Sequence, residues 1–339
     1  MTRTLLNIAV ALAVAFGVAA SARGGVQETI ELVQPRVVKI YGAGGFRGLE
    51  AYQSGILVSA EGHVLTVWSH VLDTDYLIVV PADGRRLAAK LVGADPRLEI
   101  ALLKLEGNSF SHFDLNQAVD AEPGARVLAF SNLFGVATGS EPVSVQHGVI
   151  STKAPLEGRR GVFETPYNGP VYVIDAVTNN PGAAGGALVT RRGELVGLLG
   201  NELRNARNNT WLNYAIPINE LRNTVEQIRG GKFVARSEEQ SQPKPPEPLT
   251  LDRLGIVLVP DVVDRTPPFV DRVRPGSPAA AAGIRPDDLV VFVGDRLVQS
   301  CRALRAELEY IDAVDEAQLT LLRGQELVPV TLRAPADNF

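Results

Sequence analysis

Sulfur is nearly absent from this chain: 339 residues contain one cysteine, Cys301, and one methionine, Met1. A lone cysteine excludes an intrachain disulfide, so stability must come from core packing, which this length can supply. Cys301 stands near an expected helix start and reads as a buried structural thiol. Histidine is scarce as well, with 4 residues. His63, His70, His112 and His147 show no ligand spacing such as H-x-x-x-H, so neither metal nor cofactor is expected. A basic tract is also missing. Lys+Arg 33 against Asp+Glu 38 leaves a net charge of -5, which gives a nucleic-acid partner little electrostatic support.

Glycine (32) and proline (22) are plentiful, while the hydrophobic fraction of 45% and charged fraction of 21% are globular values. From Val37 to about Ala215 the chain runs as short β-favouring stretches broken by turn signals. Ser54–Val58, Val64–Val67, Leu77–Val80, Ile100–Leu103 and Leu195–Leu199 read as strands. Ala60-Glu61-Gly62, Ala82-Asp83-Gly84 and Arg191-Arg192-Gly193 read as turns between them. That rhythm predicts an all-β barrel or sandwich. Asn219 to Ile228 predicts an amphipathic helix capped by Asn219, with Leu221, Val225 and Ile228 on one face. Ser237 to Pro248 is polar and proline-rich and reads as a linker. A second unit follows, with strands near Ile256–Val259, Leu289–Val293 and Leu327–Val330 and a helix from Cys301 to Ile311. The expected division is 1–22, 23–235, 236–249 and 250–335.

The N-terminus carries Arg3, a nearly all-apolar run from Leu5 to Ala20, and small residues at Ala20-Ser21-Ala22. This is the layout of a secretory signal peptide, and export to the periplasm or outside the cell is expected. An uncleaved membrane anchor is the alternative, although the run falls short of the ~20 residues of a comfortable span. No later segment is long and apolar enough to cross a bilayer.

The densest chemical signal lies in Asp175 to Leu188, DAVTNNPGAAGGAL. A glycine-rich turn between strand-like flanks lets consecutive N–H groups point at one spot, as an oxyanion hole requires. The segment Asn180-Pro181-Gly182-Ala183-Ala184-Gly185-Gly186 resembles the N-P-G-N-S-G-G nucleophile loop of HtrA/Deg proteases. Gly62-His63-Val64-Leu65-Thr66-Val67-Trp68-Ser69-His70-Val71 is similar to the family's histidine segment. Asp95-Pro96-Arg97-Leu98-Glu99-Ile100-Ala101 is similar to its aspartate segment. Ser131–Gly135 and Tyr214–Pro217 resemble G-N-P-F-G and F-A-I-P, in the same order. The resemblance implies a mainly β chain, a trypsin-like double β-barrel followed by a PDZ domain. It places the triad at His70, Glu99 and Ala184 and the oxyanion hole at the N–H groups of Gly182 and Ala184. It also implies a homotrimer.

The departures from that pattern bear on function. A serine protease needs a hydroxyl, an imidazole to take its proton and a carboxylate to orient the imidazole. Ala184 offers a methyl group where the hydroxyl belongs, a loss on the order of 10⁶ in turnover for such a triad. Glu99 keeps the charge and adds a methylene, while Ala183 and Ala187 replace the usual asparagine and proline. Ser69, Ser54 and Ser131 read as residues of the scaffold. A trapping substitution explains Ala184 alone; the other changes fit natural loss.

In the C-terminal unit, Leu254-Gly255-Ile256-Val257 resembles the carboxylate-binding loop of PDZ domains, which pair a peptide with the following strand. Val273 to Val290 matches the bacterial PDZ core closely, with Ser277-Pro278 opening a short helix and Gly283 ending it. The expectation is therefore an exported, inactive HtrA-like protein that binds unfolded chains or peptide C-termini as chaperone, scaffold or regulator. The alternatives are an active serine endopeptidase, with a relocated nucleophile or with Ala184 as a trapping substitution, and a purely structural envelope component.

Overall fold

The computed structural model describes residues 25–42, 51–72, 74, 76–160, 163–165, 167–233, 243–261, 266–324 and 326–334. The expected signal segment, residues 1–22, lies outside them, as do residues 234–242 of the expected linker.

β-Branched and leucine-rich runs punctuated by glycine become strands here because both faces of most of them are covered. After helix α1 (Val26–Val33) come β1 (Val37–Tyr41), β2 (Tyr52–Leu57), β3 (His63–Val67), β4 (Leu77–Val80), β5 (Leu87–Asp95) and β6 (Ile100–Leu105). They close a barrel in the order β1-β2-β3-β6-β5-β4. Next follow β7 (Arg126–Ser131), β8 (Ser144–Pro155), β9 (Gly158–Arg160), β10 (Phe163–Glu164), β11 (Pro170–Ile174) and β12 (Ala187–Thr190). Then come β13 (Leu195–Leu199), β14 (Leu203–Asn205), β15 (Trp211–Leu212) and β16 (Tyr214–Pro217). A second closed barrel runs β11-β16-β13-β12-β7-β8, with β10-β9-β14-β15 as a small sheet beside it. Closure removes the free edges that an open sheet would expose.

The barrels share one apolar core. Ile56, Leu65, Ile100 and Leu102 of the first pack with Phe130, Val189, Leu198 and Ile216 of the second. Helix α2 (Ile218–Arg229) adds Leu221, Val225 and Ile228 to this seam. Each leucine so enclosed contributes about 2 kcal/mol. The expected cap of that helix is displaced: Pro217 is the N-cap, with no side-chain bond, and Asn219 lies inside the first turn. The helix begins at Ile218, directly where the strand Tyr214–Pro217 ends, so its start lies upstream of Asn219.

The C-terminal unit holds α3 (Leu251–Leu254), β17 (Ile256–Leu258), β18 (Val270–Val273), α4 (Pro278–Ala281), β19 (Leu289–Val293), β20 (Arg296–Leu297), α5 (Cys301–Leu308), β21 (Glu316–Arg323) and β22 (Glu326–Arg333). β17 pairs with β18, and the other four form a sheet in the order β20-β19-β21-β22. Ser277 and Ser300 cap α4 and α5 by accepting from the N–H groups of Ala280 and Ala303. Asp288, 1% exposed, accepts from Nε and Nη2 of Arg323, each at 2.7 Å. The end of the proline-rich stretch packs on this unit: the Leu249 N–H donates to Ile311 O at 2.8 Å, and Pro248 bridges to Asp312. Outward-facing Val291, Phe292 and Leu297 join a core cluster with Val38, Ile40, Leu103 and other residues of the first barrel.

Candidate active site

The turn from Asn180 to Gly186 closes on the seam between the barrels, and three close approaches explain its glycines. A Cβ on Gly182 would lie 2.0 Å from Asn132 O, on Gly185 2.2 Å from Ser54 O, and on Gly186 2.3 Å from Phe130 O. Gly182 and Gly185 also hold φ of 88° and 82°, the left-handed region. Backbone bonds pin the turn at both sides. The N–H of Ser54 donates to Ala184 O (2.9 Å), that of Gly185 to Leu199 O (2.9 Å) and that of Phe134 to Pro181 O (2.8 Å). The Ser54 hydroxyl donates to Gly182 O at 2.6 Å and accepts the Asn132 N–H at 2.8 Å. Among the described residues, no acceptor takes the N–H of Gly182 or of Ala184. Ala184 itself is half-buried at the edge of the seam.

Glu99 ends a tight turn between β5 and β6. Asp95, fully buried, accepts from the Arg97 backbone N–H at 2.9 Å and from two guanidinium nitrogens, Nε at 3.0 Å and Nη2 at 2.7 Å. That bond holds the Arg97 guanidinium above its ordinary pKa. The turn ends with Glu99 at φ 52°, 8% exposed, its carbonyl accepting the Trp68 N–H at 2.7 Å. Left-handed backbone suits aspartate better than glutamate, because the shorter acid hydrogen-bonds locally. His70 opens a 3₁₀ turn, His70–Leu72, directly after this strand junction. The placement of its imidazole lies outside the described atoms.

The other hydroxyls are committed to the scaffold. Ser69 Oγ donates to Gln53 Oε1 at 2.5 Å, and Thr66 Oγ1 donates to Ser54 O at 2.6 Å. His63 Nδ1 lies 2.7 Å from Ser59 Oγ, and burial pushes its pKa down. His112 Nδ1 sits 3.0 Å from Phe110 O. Among the described residues, no group of three His, Cys, Asp or Glu is placed to hold a metal ion.

Sequence reasoning missed Asn213 and Tyr52. Asn213 Oδ1 accepts the N–H groups of Thr178 (2.8 Å) and Asn179 (3.1 Å), fixing the approach to the nucleophile turn. Its place directly before Tyr214-Ala215-Ile216-Pro217 was the available signal. The Tyr52 ring lies 2.7 Å from where a Gly182 Cβ would stand. Nothing local in the sequence announces that contact.

In the C-terminal unit, Gly255 takes φ 78° after α3, and its N–H donates to Asp252 O at 3.1 Å, while that of Leu254 donates to Thr250 O at 3.2 Å. Gly255 O accepts from Arg274 N–H (2.8 Å), and Val259 N–H donates to Phe269 O (3.0 Å), so these residues face β18. By antiparallel alternation, the N–H and C=O of Ile256 and Leu258 face the other edge. Among the described residues no strand pairs there. Val257 is 36% exposed.

Comparison with known proteins agrees with this architecture. The trypsin-like peptidase domain family matches residues 53–198, and the PDZ domain family matches residues 245–322. The periplasmic serine endoprotease DegP of Escherichia coli is 29% identical over 299 residues, covering 86% of this chain and 58% of its own length. DegP of Salmonella typhimurium is 31% identical over 291 residues, covering 83% of this chain and 56% of its own length. This chain thus spans just over half the length of those relatives. A serine endoprotease structure from Yersinia pestis aligns at TM-score 0.49 and 23% identity, over 91% of this chain and 97% of that one. No helix among the described residues is long and apolar enough to cross a membrane. The chain carries a trypsin-like peptidase domain followed by a PDZ domain and is homologous to the DegP/HtrA serine proteases.

Proposed function

We propose that this chain is an exported, catalytically inactive DegP/HtrA homologue that holds unfolded segments in its cleft and peptide C-termini in its PDZ groove. One observation carries the reading: a methyl group, on Ala184, stands at the nucleophile position of an otherwise well-braced turn. The unclaimed N–H groups of Gly182 and Ala184 suit a carbonyl oxygen of a bound chain. With no hydroxyl to attack, the bound carbonyl is held and not cleaved. In the PDZ unit, the open edge of β17 supports pairing with an extended peptide. Export rests on the N-terminal apolar segment, and the periplasmic names of the relatives support it. A homotrimer follows from the homology as part of the same reading.

Incubation with unfolded casein tests the reading. The natural chain is expected to leave casein intact over hours while retaining it in pull-down. An Ala184→Ser, Glu99→Asp variant restores the attacking hydroxyl and the shorter acid, and any cleavage it shows would establish that His70 and the oxyanion turn are still competent. Casein cleavage by the natural chain that His70→Ala abolishes would overturn the proposal and make the protein an enzyme with another nucleophile.

A further inference from the structure

The small sheet β10-β9-β14-β15 encloses a space against the second barrel, and its register explains how. Arg204 stands opposite Arg159 and Trp211, so these three share one face, while Leu203 and Leu212 share the other. Leu203 is fully buried and Trp211 is 49% exposed, so the leucine face turns inward. Between that face and strands β8, β11 and β16 lies a cavity of about 280 Å³. Its walls are Ala154, Leu156, Val171, Val173, Leu212 and Tyr214. Ala154 brings only a methyl group, and Gly158, opposite Asn205 on the inner face, brings no side chain. The space suits a small ligand. Among the described residues that line it, none belongs to the turn Asn180–Gly186, so it is separate from the cleft.

Among the described residues that line the cavity, Glu157 alone is charged. Its Oε1 accepts from Arg207 Nη2 at 2.6 Å, and both side chains of the pair reach solvent. Its Oε2 takes no donor among the described residues, so the carboxylate has acceptor capacity to spare. The opening beside it is well ordered. The Ala206 N–H donates to Glu157 O at 2.9 Å, and Asn205 Oδ1 accepts the N–H groups of Arg207 (2.9 Å) and Asn208 (3.1 Å). The other arginines of the sheet are occupied on its outer face. The Arg204 guanidinium stacks 4.2 Å from the Trp211 ring centre, and Arg159 Nη2 donates to Asn209 Oδ1 at 3.0 Å.

We infer that this cavity is a binding site for small primary amines with an unbranched apolar body. The body lies between the small sheet and the barrel, and the ammonium donates to Glu157 Oε2. Each methylene taken from water by the apolar walls tightens binding about fourfold. The ammonium adds a charge-assisted hydrogen bond at the opening. An alcohol of the same length keeps the methylenes and loses that charge. A carboxylate of the same length meets the like charge of Glu157 and is disfavoured. The site is independent of the proposed roles of the cleft and the PDZ groove.

The test is a chemical-shift titration of the isotope-labelled full chain with butylamine, hexylamine, hexanol and hexanoate. Hexylamine should bind about fifteenfold tighter than butylamine, from its two further methylenes. It should bind about threefold tighter than hexanol at low salt and by less at high salt, as suits a partly exposed charge. Hexanoate should bind most weakly. The shifts should centre on residues 154–157, 171–173 and 203–214. Glu157→Gln, at a solvent-reaching position, should erase the preference for amine over alcohol, and Arg207→Ala should widen it by removing a competing cation. Ala154→Leu fills part of the cavity and should weaken hexylamine and hexanol alike by about fivefold. Equal affinity for amine and alcohol, or a preference that survives Glu157→Gln, overturns the assignment of the ammonium to Glu157. No gain with chain length, shifts scattered over the surface, or no binding by any of the four overturns the cavity as a ligand site.

Discussion

Lys39 shows how a single residue can hold a loop next to the cleft. It sits on β1 at 1% exposure, and its ammonium donates to Gly139 O at 2.5 Å and Glu141 O at 2.9 Å. Tyr41, two residues on, donates to Ala137 O, so one strand face secures the stretch that follows Asn132. Replacing Lys39 by methionine leaves both carbonyls without their donor and should cost about 2 to 4 kcal/mol at neutral pH. The pH dependence has a definite sign. Desolvation holds this lysine below its ordinary 10.5, opposed in part by Glu141 and Asp83. The unfolded chain therefore binds the proton more tightly, and stability from this group rises with pH from the folded pKa up to 10.5. Urea midpoints of the natural chain and of Lys39→Met should diverge as pH climbs through that window. A gap that narrows there would show that the ammonium is better solvated in the fold than its burial implies.

At the scale of elements, the nucleophile turn is an assembly of backbone contacts that admits no Cβ at its glycines. Gly182→Ala combines a positive φ with a 2.0 Å approach to Asn132 O and should destabilise by about 3 kcal/mol, measured by urea unfolding. Ala184→Ser alters a half-buried position and should stay within about 0.5 kcal/mol. Equal losses for the two would mean that the turn relaxes freely. This turn was legible in the sequence because its constraint is local and glycine records it. Strands such as Leu77–Val80 and Leu195–Leu199 were legible because unbroken apolar runs between turns leave few alternatives. The small sheet β10-β9-β14-β15 was not, since its strands are only two or three residues long and are aligned by distant pairing, Arg204 against Arg159 and Trp211. Barrel closure was likewise invisible to pattern and came through resemblance. The positive φ of Glu99 escaped too, because its cause is the buried Asp95–Arg97 bond and no residue type announces it.

The largest effect outside sequence reach joins the two domains. Phe233, just past α2 and itself at φ 56°, accepts the Ala94 N–H at 3.0 Å through its carbonyl. Its ring lies 5.3 Å from the Arg97 guanidinium on one side and 5.7 Å from the Phe292 ring of β19 on the other. The PDZ sheet thus leans, through two aromatic rings, on the turn that carries Glu99. β19 has two apolar faces for this reason: Val290 and Val293 enter the PDZ core, while Val291 and Phe292 pack on the first barrel. Phe292→Ala removes the outer contact and leaves the inner one, whereas Val290→Ala does the reverse. Truncating a buried phenylalanine costs about 3 to 5 kcal/mol, and here that loss falls on the docking of the domains. Hydrogen exchange should rise in residues 93–99 of the Phe292→Ala chain, and its PDZ unit should unfold at lower urea than the barrels. Val290→Ala should weaken the PDZ unit without loosening residues 93–99. If both variants leave those amides equally protected, the acid turn is held by Asp95 and Arg97 alone, and the PDZ domain has no mechanical hold on the cleft.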